Sequence, residues 1–179
     1  LRAGPAYGGS CFPKDTRALI DIGQKFRTNM SIVKSVVKSN DLRKGLLTKR
    51  IVSIMNNKLK NKKITFLGVT FKAETDDMRE SPALSIIPLL RKRGAKINYY
   101  EPTGKKEELN AKNVSYKSNI KDACFNSDLL IIHTEWNEFK QLNFKKLIKK
   151  KNYKIYDMRN LYSPSNMKKL NINYYGIGR

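Results

Sequence analysis

The stretch Ile64-Thr65-Phe66-Leu67-Gly68-Val69 is a compact apolar run, typical of a buried strand in a parallel sheet. Similar short runs follow it along the chain, and helical patterns separate them. The candidate strands are Ile64–Val69, Ile97–Tyr100, Val114–Tyr116, Leu129–His133, Lys154–Met158 and Ile172–Tyr175. This alternation predicts an α/β domain with a doubly wound parallel sheet. Because ligands of such sheets bind at the carboxyl ends of the strands, the loops that follow the strands are the first candidates for a site.

The first 60 residues have a different pattern, which predicts two helices and no strand. Apolar spacing predicts one helix over Thr16–Phe26 and a long one from Thr28 or Asn29 to about Leu59. The long helix is too long to bury its apolar stripe within a small lobe, so we expect it to bridge domains or to pair with a second copy; an ordinary core helix is the alternative. We divide the chain into residues 1–60, the cysteine loop and central helices, and residues 61–179, the sheet domain.

Within the sheet domain the helical patterns occupy the segments between the strands. They are predicted over Ser81–Gly94, Lys105–Asn110, Ile120–Phe125, Phe144–Lys150 and Ser165–Leu170. The fold class is therefore α/β, a long helical segment followed by a doubly wound sheet.

The chain is strongly basic, with 37 Lys+Arg against 15 Asp+Glu and a formal net charge of +22. A nucleic-acid partner is one explanation, but the lysines are spread between apolar helical positions, so we do not favour it. No apolar run reaches the roughly 18 residues of a membrane span. Two cysteines are too few for a disulfide framework, which fits a reducing cytoplasm. The chain starts at Leu1, inside a motif, so we interpret it as a fragment or a truncated gene product.

The segment Gly8–Thr16 (GGSCFPKDT) is the strongest candidate for chemistry. Its glycines permit positive φ and close approach to a ligand, and Pro13 suits the first turn of a helix. Cys11 then precedes a helix N-terminus, where free N–H groups and the cation of Lys14 favour a thiolate. Asp15 follows one turn later. By composition alone, a buried, inert cysteine is the alternative.

The longer segment Gly8–Leu19 resembles the catalytic-cysteine motif of the UDP-glucose/GDP-mannose dehydrogenase family. Two further segments resemble the same family, in the same order and at plausible spacing. They are Phe71–Pro82 (FKAETDDMRESP), similar to the signature of the UDP-binding domain, and Asp157–Tyr162 (DMRNLY). The resemblance covers nearly the whole chain and implies a Rossmann-like sheet domain.

The resemblance also implies roles for particular residues. The catalytic residues would be Cys11 and Asp15. The substrate-binding residues would be Leu1, Arg2, Ala3, Gly4, Gly8, Phe71, Lys72 and Arg159. The residues approaching the cofactor would be Lys14 and Arg79. No residue is assigned to a metal.

By the same resemblance, the protein would oxidise UDP-glucose to UDP-glucuronate with NAD, through a cysteine thiohemiacetal and thioester, as a homodimer joined by the long helix. The sequence has no Gly-x-Gly-x-x-Gly unit between a strand and a helix. We therefore expect that the NAD-binding domain is missing and that this chain is inactive alone. A non-catalytic nucleotide-sugar-binding remnant, or part of a GDP-mannose-oxidising relative, remain alternatives.

Three further residues receive structural or negative assignments. His133 ends a predicted buried strand, so we interpret it as structural rather than as a base. Cys124 is assigned to packing. Glu101, at the end of the second strand, mimics the ribose-binding acid of dinucleotide domains, but without the glycines it does not indicate an NAD site.

Overall fold

The computed structural model describes residues 4–148 and 152–178. Six strands form one sheet in the order β3-β2-β1-β4-β5-β6, and every neighbouring pair is parallel. The strands are β1 (Lys63–Leu67), β2 (Lys96–Tyr100), β3 (Val114–Tyr116), β4 (Leu129–Ile132), β5 (Lys154–Asp157) and β6 (Asn173–Gly176). The predicted doubly wound, Rossmann-like sheet is confirmed, because the order reverses direction between β1 and β4.

Six α-helices accompany the sheet in the described part of the chain. They are α1 (Phe12–Lys25), α2 (Ser31–Ile54), α3 (Ala83–Lys92), α4 (Ile120–Cys124), α5 (Phe144–Leu147) and α6 (Pro164–Lys169). The segment predicted as a helix over Lys105–Asn110 contains only a 3₁₀ turn, Glu107–Leu109. No helix among the described residues combines the length and the apolar character needed to cross a bilayer.

Two helix boundaries differ from the prediction by four or five residues, and the other differences are smaller. The first helix begins at Phe12 rather than Thr16, because Pro13 fits its first turn. The long helix ends at Ile54 rather than near Leu59, because Asn56 and Asn57 both adopt left-handed backbone conformations, with φ of 52° and 59°. Such residues cannot continue a right-handed helix.

Alternation along the strands divides the core into two layers. In β4, Leu129 and Ile131 face one apolar cluster, while Leu130 and Ile132 face the other. The first cluster also contains the C-terminal half of α2, where Ile51 is fully buried. The long helix is thus partly an ordinary core helix, and its large exposed apolar side chains lie between residues 32 and 46.

Candidate functional site

Cys11 occupies the N-cap position of α1, as predicted, and its side chain is exposed. Its Sγ lies 3.6 Å from the Ser10 hydroxyl oxygen. Pro13 lies in the first helical turn, and the Asp15 N–H donates to the Cys11 carbonyl at 2.8 Å. Lys14 and Asp15 form an ion pair of 3.3 Å, with side chains 75% and 65% exposed. The nucleophile candidate and its two charged neighbours therefore share an open surface.

The cysteine loop, residues 4–10, packs on the β1–α3 loop, residues 68–82, at the carboxyl edge of the sheet. The Gly9 N–H donates to the Arg79 carbonyl at 2.8 Å. A Cβ on Gly8 would lie 2.5 Å from the Glu80 carbonyl oxygen, and one on Gly9, whose φ is +86°, would lie 2.7 Å from the Phe71 ring. The glycines permit a close approach, as predicted. However, the segment that approaches them is the chain's own β1–α3 loop, whereas the sequence predicted a ligand.

Glu80 joins this loop to both helices. Its carboxylate pairs with Arg17 of α1 at 3.0 Å and with Lys44 of α2 at 3.4 Å. The hydrogen bond from Arg17 lowers the pKa of Glu80 from its usual value, and the charges of Arg17 and Lys44 act in the same direction. Sequence reasoning missed this three-way contact, because its partners are separated by 36 to 63 residues.

Two side chains of α2 hold the start of the cysteine loop, and sequence reasoning missed both. Asn40 accepts from the Tyr7 N–H at 2.9 Å and donates to the Tyr7 carbonyl at 3.3 Å. Arg43 donates to the carbonyls of Pro5 and Gly4 at 2.7 and 3.0 Å. The available signal was the interruption of the apolar stripe at Asn40, a buried polar residue that satisfies loop backbone groups.

Arg159, from the third predicted motif, lies against the other two. Its Nε donates to the His133 carbonyl at 2.9 Å, and its Nη2 donates to the Phe71 carbonyl at 3.0 Å. The Glu135 carboxylate is 2.8 Å from Nε and forms an ion pair, although the Nε–H is directed at the carbonyl. A Cβ on Gly4 would lie 2.9 Å from Arg159 Nη1. The guanidinium therefore connects three loops, and burial lowers its pKa from the usual value.

The two exposed cations of the β1–α3 loop differ in their contacts. Arg79 makes a bidentate pair with Asp77, at 3.0 and 2.9 Å, and its side chain is 68% exposed. The Asp77 hydrogen bond chiefly raises the pKa of Arg79, and the charge of the Asp77 carboxylate adds to the rise. Lys72 is exposed, with its Nζ 5.5 Å from the centroid of the Phe71 ring. Both cations are accessible to an anionic ligand.

Two candidates for chemistry are buried. His133 follows β4, and its Nδ1 lies 3.1 Å from the Thr134 hydroxyl, which donates to the Thr70 carbonyl at 2.9 Å. Burial lowers the pKa of His133 to about 3, so its imidazole is neutral and serves the packing of the two loops. Burial raises the pKa of Cys124 to about 12, as expected for an inert core thiol.

The predicted site residues fall into two groups. Gly4, Gly8, Phe71 and Arg159 are in contact through the two loops. The other five, Cys11, Lys14, Asp15, Lys72 and Arg79, have exposed side chains. The predictions for Leu1, Arg2 and Ala3 lie outside the described residues. The joined loops lie where β1, β4 and β5 end, the edge at which doubly wound sheets bind ligands.

Two family models match the chain. The UDP binding domain of the UDP-glucose/GDP-mannose dehydrogenase family matches residues 65–164, and the central domain of the same family matches residues 1–42. The two matches together include all three motifs that carried the resemblance.

Known proteins with these domains are similar over the whole chain. UDP-glucose 6-dehydrogenase of Rickettsia typhi is 40% identical over 99% of the chain, and that of Rhizobium meliloti is 38% identical over 100%. The chain spans 42% and 41% of the length of these two relatives.

Solved structures of nucleotide-sugar dehydrogenases are also similar to this chain. A UDP-glucose dehydrogenase from Pyrobaculum islandicum, 27% identical, gives a TM-score of 0.78 over 97% of this chain and 38% of its own. An NDP-N-acetyl-D-galactosaminuronic acid dehydrogenase from Methanosarcina mazei Go1, 25% identical, gives 0.86 over 100% of this chain and 40% of its own. The chain belongs to the UDP-glucose/GDP-mannose dehydrogenase family, of which it contains central-domain and UDP-binding-domain sequence.

Proposed function

We propose that this chain supplies the catalytic-cysteine segment and the nucleotide-sugar-binding domain of an NAD-dependent UDP-glucose 6-dehydrogenase. One observation carries the proposal: the cysteine loop packs directly on the loop that bears Phe71 and Lys72, at the carboxyl edge of the sheet. The names of the relatives support UDP-glucose as the substrate.

The β1–α3 loop and Arg159 would hold the nucleotide sugar. Lys72 is exposed and free to meet a diphosphate oxygen, while the largely buried Arg159 fixes the Phe71 carbonyl behind it. Gly4 and Gly8 leave the room that a Cβ would fill beside these residues. Leu1, Arg2 and Ala3 would extend the same binding loop.

Cys11 would act as the nucleophile in the second of two oxidations. Its thiolate adds to the carbonyl carbon of the sugar aldehyde, forming a C–S bond while the carbonyl oxygen takes a proton. The free aldehyde is a poor hydride donor, whereas the thiohemiacetal carbon carries a C–H that can donate a hydride. Oxidation of the thiohemiacetal, with loss of this hydride and of the hydroxyl proton, leaves a thioester on Sγ. Water then attacks the thioester carbonyl, the C–S bond breaks, and the carboxylate and the thiolate are released. Asp15, one helical turn from Cys11, would position or deprotonate that water.

NAD would supply the hydride acceptor for both oxidations. The sheet domain itself does not fit NAD, because the loop after β1 lacks the glycine pattern that admits a pyrophosphate and the Glu101 carboxylate is buried. Lys14 and Arg79 do fit a position beside a cofactor, since both are exposed cations near Cys11. We propose that a further domain of the complete enzyme holds NAD against this surface, and that the chain alone binds substrate without turnover.

The homodimer expected through the long helix is also part of the proposal. Along α2, the side chains of Ile32, Leu42 and Leu46 are 79%, 59% and 61% exposed. Burying an exposed side chain of this size is worth about 2 kcal/mol, which favours a covered face in the assembled enzyme.

Calorimetric titration of the 179-residue chain with UDP-glucose tests the proposal. We expect saturable binding that Lys72→Ala abolishes, because the variant loses a cation for the diphosphate. Lys105→Ala is the matched control: Lys105 is also an exposed lysine, but it pairs with Glu107 in the connection after β2. Equal losses in both variants would indicate a general effect of net charge. Tighter binding of GDP-mannose than of UDP-glucose would favour the other substrate of the family.

A further inference from the structure

Glu101 follows β2 directly, at the carboxyl edge of the sheet, and no part of it is exposed to solvent. In a dinucleotide-binding domain with this strand order, an acid at the end of the second strand hydrogen-bonds the ribose of the cofactor. A carboxylate that reads a ribose must face the binding crevice. The carboxylate of Glu101 is directed into the protein.

The contacts of Glu101 account for its burial. Its Oε2 accepts from the Val69 N–H at 2.7 Å and from the Thr70 N–H at 3.2 Å, and its Oε1 accepts from the Thr103 hydroxyl at 3.3 Å. Burial raises the pKa of Glu101, and the two backbone hydrogen bonds oppose this rise. The carboxylate thus satisfies two backbone donors at the start of the β1–α3 loop.

These two donors lie immediately before the predicted substrate residues. The Thr70 hydroxyl donates to the Lys72 carbonyl at 2.9 Å, and the Thr70 carbonyl accepts from Thr134 at 2.9 Å. A chain of hydrogen bonds therefore runs from Glu101 through Thr70 to the backbone of Lys72. Lys106, also buried, donates to the Asp76 carbonyl at 3.2 Å and holds the same loop further along.

We propose that Glu101 is a positioning residue, which fixes the backbone of residues 69–72 so that Phe71 and Lys72 meet the nucleotide sugar in a preformed loop. The position used to read a ribose in dinucleotide domains is used here to build the neighbouring binding loop. Preformed geometry raises affinity because less ordering is needed on binding. This inference rests on the proposed function.

Three variants and a control test it. Glu101→Ala removes both acceptors, whereas Glu101→Gln keeps one oxygen for the two amides and can donate to the Thr103 hydroxyl. Glu101→Asp moves the carboxylate back by one methylene, and it replaces Glu101→Ala in the test if the alanine protein does not fold. The control is Glu138→Ala, which removes an exposed acid that accepts from the Tyr100 hydroxyl.

Two measurements are made on each protein: amide hydrogen exchange at Val69 and Thr70, and calorimetric affinity for UDP-glucose well below the unfolding temperature. We expect Glu101→Ala to accelerate exchange at these two amides and to weaken affinity about tenfold, as the loss of charge-assisted hydrogen bonds implies. We expect Glu101→Gln to restore both within about twofold, and the aspartate protein to lie between them. A merely structural role would lower the unfolding temperature without this local exchange or its rescue by glutamine.

Unchanged exchange in Glu101→Ala, or in Glu101→Asp if alanine does not fold, would overturn the proposal. Faster exchange with unchanged affinity would also overturn it, because the loop would then not need fixing. Failure of the wild-type chain to bind UDP-glucose would refute the proposed function instead, and the exchange measurement would still decide whether Glu101 holds the loop.

Discussion

Replacing Gly8 by alanine tests whether the cysteine loop needs its close contact with the β1–α3 loop. The new Cβ would lie 2.5 Å from the Glu80 carbonyl oxygen and 2.9 Å from its carbon. Both are backbone atoms, so no flexible side chain can move aside. Overpacking of this kind costs about 2 kcal/mol.

The matched control is Gly45→Ala, the same chemical change in the middle of α2. A Cβ there meets nothing within 4 Å. Alanine in a helix is about 1 kcal/mol more favourable than glycine. The two substitutions should therefore change stability in opposite directions, although each adds a single methyl group.

Thermal unfolding followed by circular dichroism measures both variants. For a chain of this size, 1 kcal/mol corresponds to about 2 to 4 °C. We expect Gly8→Ala to unfold about 4 to 8 °C below wild type, and Gly45→Ala about 2 to 4 °C above it. A Gly8→Ala protein as stable as wild type would refute the packing argument. A destabilised Gly45→Ala protein would refute the assumption that free space decides the sign.

Three further predictions concern titratable groups. Under native conditions iodoacetamide should modify the exposed Cys11 and leave Cys124, whose pKa burial raises to about 12, so intact mass should show one adduct until the protein is unfolded. Glu80→Gln should lower the free energy of unfolding by about 0.5 kcal/mol near neutral pH, as expected for a partly exposed ion pair. Because Arg17 lowers the pKa of Glu80, the difference from wild type should be complete above about pH 4.5 and should disappear at lower pH. Urea unfolding at several pH values measures this difference. His133, whose pKa burial lowers to about 3, should stay neutral in the folded protein down to about pH 4. In the unfolded chain the same imidazole binds a proton below about pH 6.5, so the free energy of unfolding should fall progressively as the pH is lowered. NMR of this single histidine should show no titration between pH 4.5 and 8.

Much of the fold could be predicted because its signals are local. The apolar run at residues 64–69 needs only its own composition to indicate a buried strand. The apolar periodicity of α2 likewise indicates a helix, which ends before the left-handed residues Asn56 and Asn57. The prediction placed that end too late because a periodic apolar pattern continues to Leu59, and periodicity does not register a change of backbone conformation. The apolar pattern of α1 starts at Thr16, four residues after the helix begins, because polar residues of the first turn interrupt it. Pro13 alone indicated the earlier start that places Cys11 at the N-cap.

The contacts that assemble the site were less predictable. Glu80, Arg43 and Asn40 contact segments that lie 33 to 63 residues away in the chain, and each is an ordinary polar residue in its local context. Glu101 shows the limit most clearly. Its place at the end of β2 was correct, but the direction of its carboxylate depends on which donors the neighbouring loop presents.

The amino-acid sequence by itself determined the alternation of strands and helices, the N-cap position of Cys11 and the order of the three motifs. These depend on periodicity and on the backbone preferences of glycine and proline, which act over a few residues. Tertiary structure alone decided that Gly8 packs on Glu80, that Arg159 connects three loops, and that Glu101 is turned inward. Those outcomes depend on contacts between segments that are remote in sequence and that only the folded sheet brings together. Once these segments are buried, each polar group needs a hydrogen-bond partner from another segment.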